Sequence, residues 1–214
     1  MADDVRGTYD AVARAYDSAY SDELTLKPLD RALLEGFLSL VDGGPIADLG
    51  CGPGHVTRFL AERGADVIGV DLSVGMLDVA REHAPEIAFA AGSMLQLPVI
   101  DSAWSGAIAL YSIIHLTPDE RTTACREFAR TVRPGGWLLL AFHIDSPEFA
   151  VGTVNHATSW FGHAVHIDGY FLEPDAVTSD VEAAGFTVML TTIRQPFSDS
   201  EYPSRRCYLM ARRN

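Results

Sequence analysis

The chain has 214 residues, of which 48% are hydrophobic and 21% are charged, and its formal net charge at pH 7 is -13. This length and balance fit one globular domain with a substantial core. The acidic charge argues against binding to nucleic acid or to anionic membrane surfaces, because both require a basic surface on the protein. Lysine occurs only at position 27, and the arginines are scattered apart from the pairs Arg205–Arg206 and Arg212–Arg213.

The amino terminus and the cysteines indicate the compartment. The first ten residues, MADDVRGTYD, are acidic and lack the apolar core of a signal peptide. No apolar run approaches the roughly 20 residues of a membrane span. The cysteines, Cys51, Cys125 and Cys207, have no paired spacing, which is typical of reduced thiols. These features predict a cytoplasmic protein.

Hydrophobic spacing predicts helices and strands along the whole chain. Helical spacing over Val5–Tyr20 and Pro28–Val41 predicts an N-terminal helical cap within residues 1–42. The elements predicted after the cap are strand Pro45–Leu49, helix His55–Arg63, strand Asp66–Asp71, helix Val74–His83, strand Ile87–Ala91, strand Ala107–Tyr111, helix Pro118–Val132, a turn over Arg133–Gly136, strand Trp137–His143, helix Pro174–Ala184, strand Phe186–Ile193 and strand Arg206–Ala211. Strands that alternate with helices predict a parallel sheet covered on both faces, in a single α/β domain over residues 1–214.

The most informative segment is IADLGCGPG, from Ile46 to Gly54. Its glycines stand at alternate positions and let the backbone turn sharply and approach a ligand closely. The helix that follows points its amino terminus at the same place, which favours a carboxylate there. A second apolar strand ends in Asp71, which can accept hydrogen bonds from both hydroxyls of a ribose. These features predict a nucleotide-binding βαβ unit.

Asp48 bears on which nucleotide binds. A dinucleotide-binding loop usually has apolar residues before its glycines, and its third glycine comes one position later, where this chain has His55. Asp48 lies near where a positively charged amino group could sit. S-adenosylmethionine carries a carboxylate, an ammonium group and a ribose, so it matches all three features of the loop.

The pattern acid-x-Gly-x-Gly-x-Gly, from Asp48 to Gly54, resembles the S-adenosylmethionine loop of class I methyltransferases of the small-molecule type. The resemblance is strong over about Ile46–Phe142. It implies a three-layer, Rossmann-like α/β fold with a seven-stranded, mostly parallel sheet. The implied strand order is 3-2-1-4-5-7-6, with strand 7 antiparallel. The implied cofactor is S-adenosylmethionine.

Two further segments carry the resemblance. DLSVGMLDVAR, which begins at Asp71, is similar to the family's helix after the acid, where Leu72 or Met76 would flank the adenine. AGSMLQLP is similar to a segment in which the family often places an acid on the adenine amine. This chain has Ser93 and Met94 there, so a hydroxyl or a backbone carbonyl would replace the carboxylate.

The amino-terminal YDAVARAYDSAY resembles a helix that closes over the cofactor in many family members, with Tyr16 as the best candidate contact and Tyr9 the next. An amphipathic helix that only buries its tyrosines on the sheet is the alternative. The residues predicted to bind the cofactor are Tyr16, Asp48, Gly50, Cys51, Gly52, Gly54, Asp71, Leu72, Met76, Ser93, Met94 and Tyr111.

The acceptor is expected past the carboxyl ends of strands 4 and 5, near Tyr111, Ser112, His115 and His143. The candidate catalytic residues are Tyr111, His115 and His143. A histidine could act as general base near neutral pH, whereas an acceptor that is already nucleophilic needs only alignment. Both mechanisms stay open at this point.

Residues 144–172 break the alternation and are expected to form a lid or a wall of the acceptor pocket. Their aromatic and histidine side chains suit an aromatic or heterocyclic acceptor; these are Trp160, Phe161, His163, His166 and Tyr170. Packing of these aromatics into the core is the alternative. His143, Asp145, His163 and His166 have irregular spacing, so no metal site is predicted.

The sequence thus predicts an enzyme that transfers a methyl group from S-adenosylmethionine to a small molecule at oxygen or nitrogen, with carbon as a further option. One alternative is a NAD(P)-dependent Rossmann oxidoreductase. Three features argue against it: Asp48, the glycine spacing and the lack of a Tyr-x-x-x-Lys pair. The other is a catalytically silent S-adenosylmethionine-binding protein. No nucleic-acid or membrane partner is expected, and the protein is expected to be a monomer or a homodimer.

Overall fold

The computed structural model describes residues 2–199 and 201–214 of the chain. The helices are α1 (Ala2–Tyr20), α2 (Glu23–Leu26), α3 (Pro28–Leu40), α4 (His55–Ala61), α5 (Val74–His83), α6 (Pro118–Thr131) and α7 (Pro174–Ala183), with a 3₁₀ turn over Ile113–His115. The strands are β1 (Ile46–Leu49), β2 (Val67–Asp71), β3 (Ala88–Ala91), β4 (Trp104–Leu110), β5 (Val132–Asp145), β6 (Val154–Trp160), β7 (His163–Tyr170), β8 (Phe186–Arg194) and β9 (Arg205–Arg213).

Seven of the strands form one sheet in the order β3-β2-β1-β4-β5-β9-β8. The pairs from β3 to β5 are parallel, whereas β9 runs antiparallel to both of its neighbours, β5 and β8. Since β9 and β8 take the places of strands 7 and 6, the predicted order and the antiparallel strand are confirmed.

Helices cover both faces of the sheet. Phe37 of α3 and Leu60 of α4 pack on one face, and Phe128 of α6 and Val177 of α7 pack on the other. The central strands are continuous apolar runs because both of their faces are buried. The strand order reverses between β1 and β4, and the crevice outside their carboxyl ends is where such sheets bind ligands.

The segment 144–172 contains a regular hairpin, which the sequence prediction missed. Strands β6 and β7 form a separate two-stranded antiparallel sheet. Trp160 pairs with His163, so the loop has two residues, Phe161 and Gly162, with φ of 48° and 78°. Two consecutive positive φ angles match the twist of a hairpin and favour glycine at the second position. The hairpin was missed because its strands, VNHATSW and HAVHIDGY, mix polar and apolar residues without a continuous apolar run.

Two predicted boundaries are wrong. Tyr111 was expected to end a strand, but β4 ends at Leu110 and Tyr111 adopts a left-handed φ of 56°. The turn expected over Arg133–Gly136 lies within β5, which begins at Val132. The register of β5 against β4 shifts at this stretch, so the extra residues are accommodated as a bulge.

Helix α1 is fastened across the carboxyl edge of the sheet. The Asp10 carboxylate accepts hydrogen bonds from the Ser73 hydroxyl at 2.6 Å and from the Gly75 amide at 2.9 Å, at the amino terminus of α5. An acid is favoured there by the helix dipole. On its other side, Val12 packs against Val165 of the hairpin. The helix therefore covers the crevice and connects α5 to the hairpin.

Candidate active site

The three glycines of the loop after β1 serve different purposes. All have positive φ, 72° at Gly50, 54° at Gly52 and 79° at Gly54. A Cβ at Gly50 would lie 2.4 Å from the Cβ of Ser112, and a Cβ at Gly54 would lie 3.0 Å from the Phe89 ring. A Cβ at Gly52 would meet nothing within 4 Å. Packing within the protein thus requires Gly50 and Gly54, whereas Gly52 keeps space open for a ligand.

Backbone donors fix the carboxylate of Asp71. Its Oδ2 accepts from the Gly52 amide and its Oδ1 from the Ser73 amide, both at 2.8 Å. Burial raises the pKa of Asp71, and these amide hydrogen bonds oppose the rise. Each oxygen retains a lone pair, so the carboxylate is oriented in advance for two further donors such as ribose hydroxyls.

Asp48 is buried within β1, where its Oδ2 accepts a hydrogen bond from the Thr57 hydroxyl at 2.6 Å. Burial raises the pKa of Asp48 to about 6, and the hydrogen bond from Thr57 opposes this rise. A buried carboxylate with one neutral partner is a good site for a ligand cation, because the cation offsets the desolvation of the charge.

Two adjoining cavities lie between this loop and α1. The smaller has a volume of about 120 Å³ and the larger about 650 Å³. Residues that line the smaller cavity include Asp71, Leu72, Met76, Ser93 and Met94. Residues that line the larger include Asp48, Cys51, His143, Trp160 and Tyr170. Both are lined by Tyr9, Tyr16, Gly50, Gly52, Tyr111 and His115.

The structure therefore brings together nearly all of the predicted site residues. Gly54 is the exception among the cofactor candidates, because it packs against Phe89 and Ala80. In the insert, Trp160 and Tyr170 reach the larger cavity, but His163 and His166 are exposed on the hairpin. The buried side chains of β7 are Val165 and Ile167, so the intervening His166 faces solvent.

His115 has both ring nitrogens occupied. Its Nδ1–H donates to the backbone carbonyl of Asp168 at 2.8 Å, which leaves Nε2 to accept from the Tyr9 hydroxyl at 2.7 Å. Burial lowers the pKa of His115. The imidazole thus connects α1 to β7 in this closed arrangement, and a role as general base would require Tyr9 to move.

His143 is at the end of β5 that faces the larger cavity. Its Nδ1 lies 2.6 Å from the Ser204 hydroxyl, and its ring stacks on that of Tyr111 with centroids 4.9 Å apart. Burial, with smaller contributions from Arg206 and Lys27, lowers the pKa of His143 to about 3. The imidazole is therefore neutral at physiological pH.

Tyr111 is held by its hydroxyl as well as by its strained backbone. The hydroxyl lies 2.9 Å from that of Tyr208 and donates to Asp30 at 3.4 Å. Burial and the charge of Asp30 hold the pKa of Tyr111 well above its usual range. The ring faces the cavities while the hydroxyl is engaged on the other side, so Tyr111 is suited to positioning a ligand rather than to accepting a proton.

Sequence reasoning missed a buried ionic cluster beside the larger cavity, formed by Asp30, Arg194, Glu201 and Arg206. Glu201 bonds both arginines, Arg194 Nη1 at 2.8 Å and Arg206 Nη1 at 2.9 Å. Asp30 bonds Arg194 Nη2 at 3.3 Å and also accepts from the Tyr208 hydroxyl. The one available signal was that Arg206 falls two residues before Tyr208, on the same face of β9 and next to its apolar stretch Cys207–Ala211.

The lowered pKa of His143 predicts a pH dependence of stability. The unfolded chain binds a proton on this residue near pH 6.5, but the folded protein binds it only near pH 3. Within this window His143 should lower the free energy of unfolding by about 1.4 kcal/mol for each unit that the pH falls. In urea titrations between pH 6 and pH 4, His143→Gln should lose less stability than the wild type. Equal slopes would contradict the buried neutral imidazole, and His156→Gln, at an exposed histidine, is the control.

Comparison with known proteins agrees with this fold. Residues 46–136 match the family model described as "Methyltransferase domain". A demethylmenaquinone methyltransferase of Beutenbergia cavernae is 33% identical over 150 residues, which cover 69% of this chain and 60% of that protein. The chain thus spans about 60% of the length of this relative. These matches confirm the predicted resemblance to class I S-adenosylmethionine-dependent methyltransferases, a family whose cofactor is S-adenosylmethionine.

Solved structures at lower identity share the fold. The structure titled "DhpI-SAH complex structure" superimposes with a TM-score of 0.75 at 20% identity, over 100% of this chain and 97% of that one. The [4+2]-cyclase SpnF superimposes with a TM-score of 0.76 at 18% identity, with the same coverage. These likenesses bear on the fold alone, and a cyclase among them means that the reaction must be argued from the site.

Two features are absent from the described residues. Within residues 2–199 and 201–214, no helix combines the length and apolar character that crossing a bilayer requires. In the same part of the chain, no three or more histidine, cysteine, aspartate or glutamate side chains are grouped so that they could hold a metal ion.

Proposed function

We propose that this protein transfers the methyl group of S-adenosylmethionine to a small aromatic or heterocyclic molecule bound in the larger cavity, at an oxygen or nitrogen atom or, as a further option, at carbon. The observation that carries the proposal is the adjacency of the two cavities. One holds the carboxylate of Asp71, the other is walled by Trp160 and Tyr170, and Tyr111 lines both. The demethylmenaquinone methyltransferase relative supports an aromatic acceptor by its name.

Residues of the two cavities together fit the cofactor. The open space beside Gly52 admits a ligand against the backbone, and Asp71 has lone pairs left for a ribose. Leu72 and Met76 offer apolar contact for a purine, and Asp48 offers a buried carboxylate for an ammonium group. This set matches the three parts of S-adenosylmethionine in the order in which they are joined.

When bound, S-adenosylmethionine supplies a methyl group that is already activated on a sulfonium, so the main task of the protein is to align the acceptor. Tyr111 and Trp160 present flat surfaces to the cavity for this purpose. Tyr9 and Tyr16 of α1 cover the site and are half-buried against the hairpin and α5. Closure excludes water from the cavity.

We expect alignment rather than general-base catalysis. His115 has no free nitrogen, and His143 is too weak a base at neutral pH because of its lowered pKa. His143→Gln and His115→Gln should therefore keep turnover within about tenfold of the wild type, whereas loss of a general base costs about 10²–10⁴-fold. The measurement is single-turnover methyl transfer at saturating cofactor. A loss of more than 100-fold in either variant, with S-adenosylhomocysteine binding intact, would contradict alignment alone.

Binding and turnover separate the proposal from its alternatives. Calorimetric titration should show S-adenosylmethionine and S-adenosylhomocysteine binding in preference to NAD, and tighter binding of NAD would favour an oxidoreductase. Turnover is then measured by mass spectrometry with methyl-labelled cofactor and a panel of phenols, aromatic acids and heterocyclic amines. If the protein binds the cofactor but methylates none of these acceptors, it would instead be a catalytically silent S-adenosylmethionine-binding protein, or a protein that uses the same fold for another reaction, as the cyclase does.

A further inference from the structure

Three neighbouring strands place basic side chains side by side at the larger cavity. His143 of β5 is paired across the ladder with Arg206 of β9, and Arg206 is paired in turn with Arg194 of β8. Directly paired residues of neighbouring strands project from the same face of the sheet. Of these three, His143 and Arg206 line the cavity, and Arg194 lies behind them in the buried ionic cluster.

Arg206 is incompletely paired in this cluster. It is 1% exposed, and it shares the single carboxylate of Glu201 with Arg194. Its Nη1 and Nη2 also donate to the backbone carbonyls of Ser204 at 3.1 Å and Tyr202 at 3.0 Å. Its Nε has no hydrogen-bond partner among the described residues. A buried donor of a charged group is costly to leave unmatched, so Arg206 is suited to a further acceptor.

Lys27 brings a second cation to the same cavity. Its Nζ bonds Glu23 at 2.7 Å and lies 4.8 Å from the centroid of the Tyr111 ring. Glu23 is itself shared, because its other oxygen bonds His55 Nε2 at 3.0 Å. An ammonium group has three N–H donors, and among the described contacts of Lys27 only one of them donates to a carboxylate. The cavity wall thus carries two cations, and each of them shares its carboxylate partner with a second basic side chain.

We propose that the acceptor carries an anionic oxygen, of a carboxylate or phenolate, which binds in the larger cavity between Arg206 and Lys27. This inference rests on the proposed function and specifies the acceptor of the same site. The neutral imidazole of His143 and the ring of Tyr111 lie beside the two cations and can contact the attached aromatic ring. A guanidinium and an ammonium together select an anion over an isosteric neutral group, because the neutral group leaves both of them poorly matched.

The test compares 2-naphthoate with the neutral 2-naphthamide by calorimetric titration into protein saturated with S-adenosylhomocysteine. We expect naphthoate to bind at least about tenfold more tightly, because its carboxylate accepts charge-assisted hydrogen bonds that the neutral amide replaces only weakly. Arg206→Met and Lys27→Met should each remove most of this preference. Arg205→Met is the matched control, because Arg205 is the preceding arginine of the same strand, is 42% exposed and pairs with Asp145. Absent or equal binding of the two probes by the wild type would overturn the inference.

A second measurement keeps the test independent of the folding of Arg206→Met. In the wild type, the Nε–H resonance of Arg206 should shift on addition of naphthoate and not of naphthamide. An unchanged resonance at saturating naphthoate would overturn the placement at Arg206. Adding 2-naphthol above and below its own pKa then distinguishes phenolate from carboxylate recognition. Failure of this inference leaves cofactor binding and turnover of uncharged acceptors intact, whereas failure of the proposed function abolishes turnover of every acceptor.

Discussion

Replacing Asp71 with alanine is expected to weaken binding of S-adenosylhomocysteine about 30- to 1000-fold, equivalent to about 2–4 kcal/mol. The substitution removes a carboxylate that two backbone amides hold in place and that has lone pairs left for two ribose hydroxyls. It also leaves the amide of Gly52 without its acceptor, which loosens the loop. Calorimetric titration measures the change, and Asp78→Ala on the exposed face of α5 is the control.

Asp71→Asn should recover little of this loss. Each carboxylate oxygen accepts a backbone N–H, and an asparagine would turn its own NH₂ group towards one of these two donors. Unchanged affinity in Asp71→Ala, with the fold intact by circular dichroism, would remove Asp71 from the cofactor site.

Alanine substitutions at Gly50 and at Gly52 should have different effects, mainly on stability at Gly50 and mainly on cofactor affinity at Gly52. At Gly50 the new Cβ would lie 2.4 Å from Ser112, so overpacking should cost about 1–3 kcal/mol of stability in addition to the strain of a positive φ. At Gly52 the Cβ enters open space that the ligand would occupy. The stability of the Gly52→Ala protein should then fall only by the cost of the strained backbone, while its cofactor affinity falls about 5- to 150-fold.

Gly43→Ala is the matched control for Gly52→Ala. Gly43 has a similar φ of 62°, a Cβ there would also meet nothing within 4 Å, and it lies at the opposite end of β1. Thermal unfolding should show similar small losses for these two variants, but only Gly52→Ala should lose cofactor affinity. A Gly52→Ala protein that binds S-adenosylhomocysteine as tightly as Gly43→Ala would exclude the backbone of Gly52 from the site.

The strand order was implied by the family resemblance, whereas the cofactor cavity follows from local features of the sequence. The apolar strands, the glycine loop and Asp71 lie close together in the chain, and their roles depend on short-range geometry. That is why all but one of the predicted cofactor residues line a cavity. Gly54 is the exception. Its positive φ and its close packing against Phe89 require a glycine, and the sequence does not distinguish such a glycine from one that makes room for a ligand.

The acceptor side depends on contacts between distant segments, which periodicity does not reveal. The partners of His115 are Tyr9 and the carbonyl of Asp168, and neither follows from its position after β4. The buried ionic cluster joins Asp30 of α3 to Arg194 of β8 across the fold. A charged residue in a sequence predicts exposure unless its partner is known, so these side chains could only be placed by the structure.

The most direct test of the site is a crystal structure with S-adenosylhomocysteine bound. We expect both ribose hydroxyls within about 3.2 Å of the Asp71 carboxylate oxygens, as hydrogen bonding requires. The adenine should contact Leu72 and Met76, and the sulfur should face the larger cavity beside Tyr111. A ribose remote from Asp71, or an adenosine that fills the larger cavity and leaves no room for an acceptor, would contradict the arrangement proposed here.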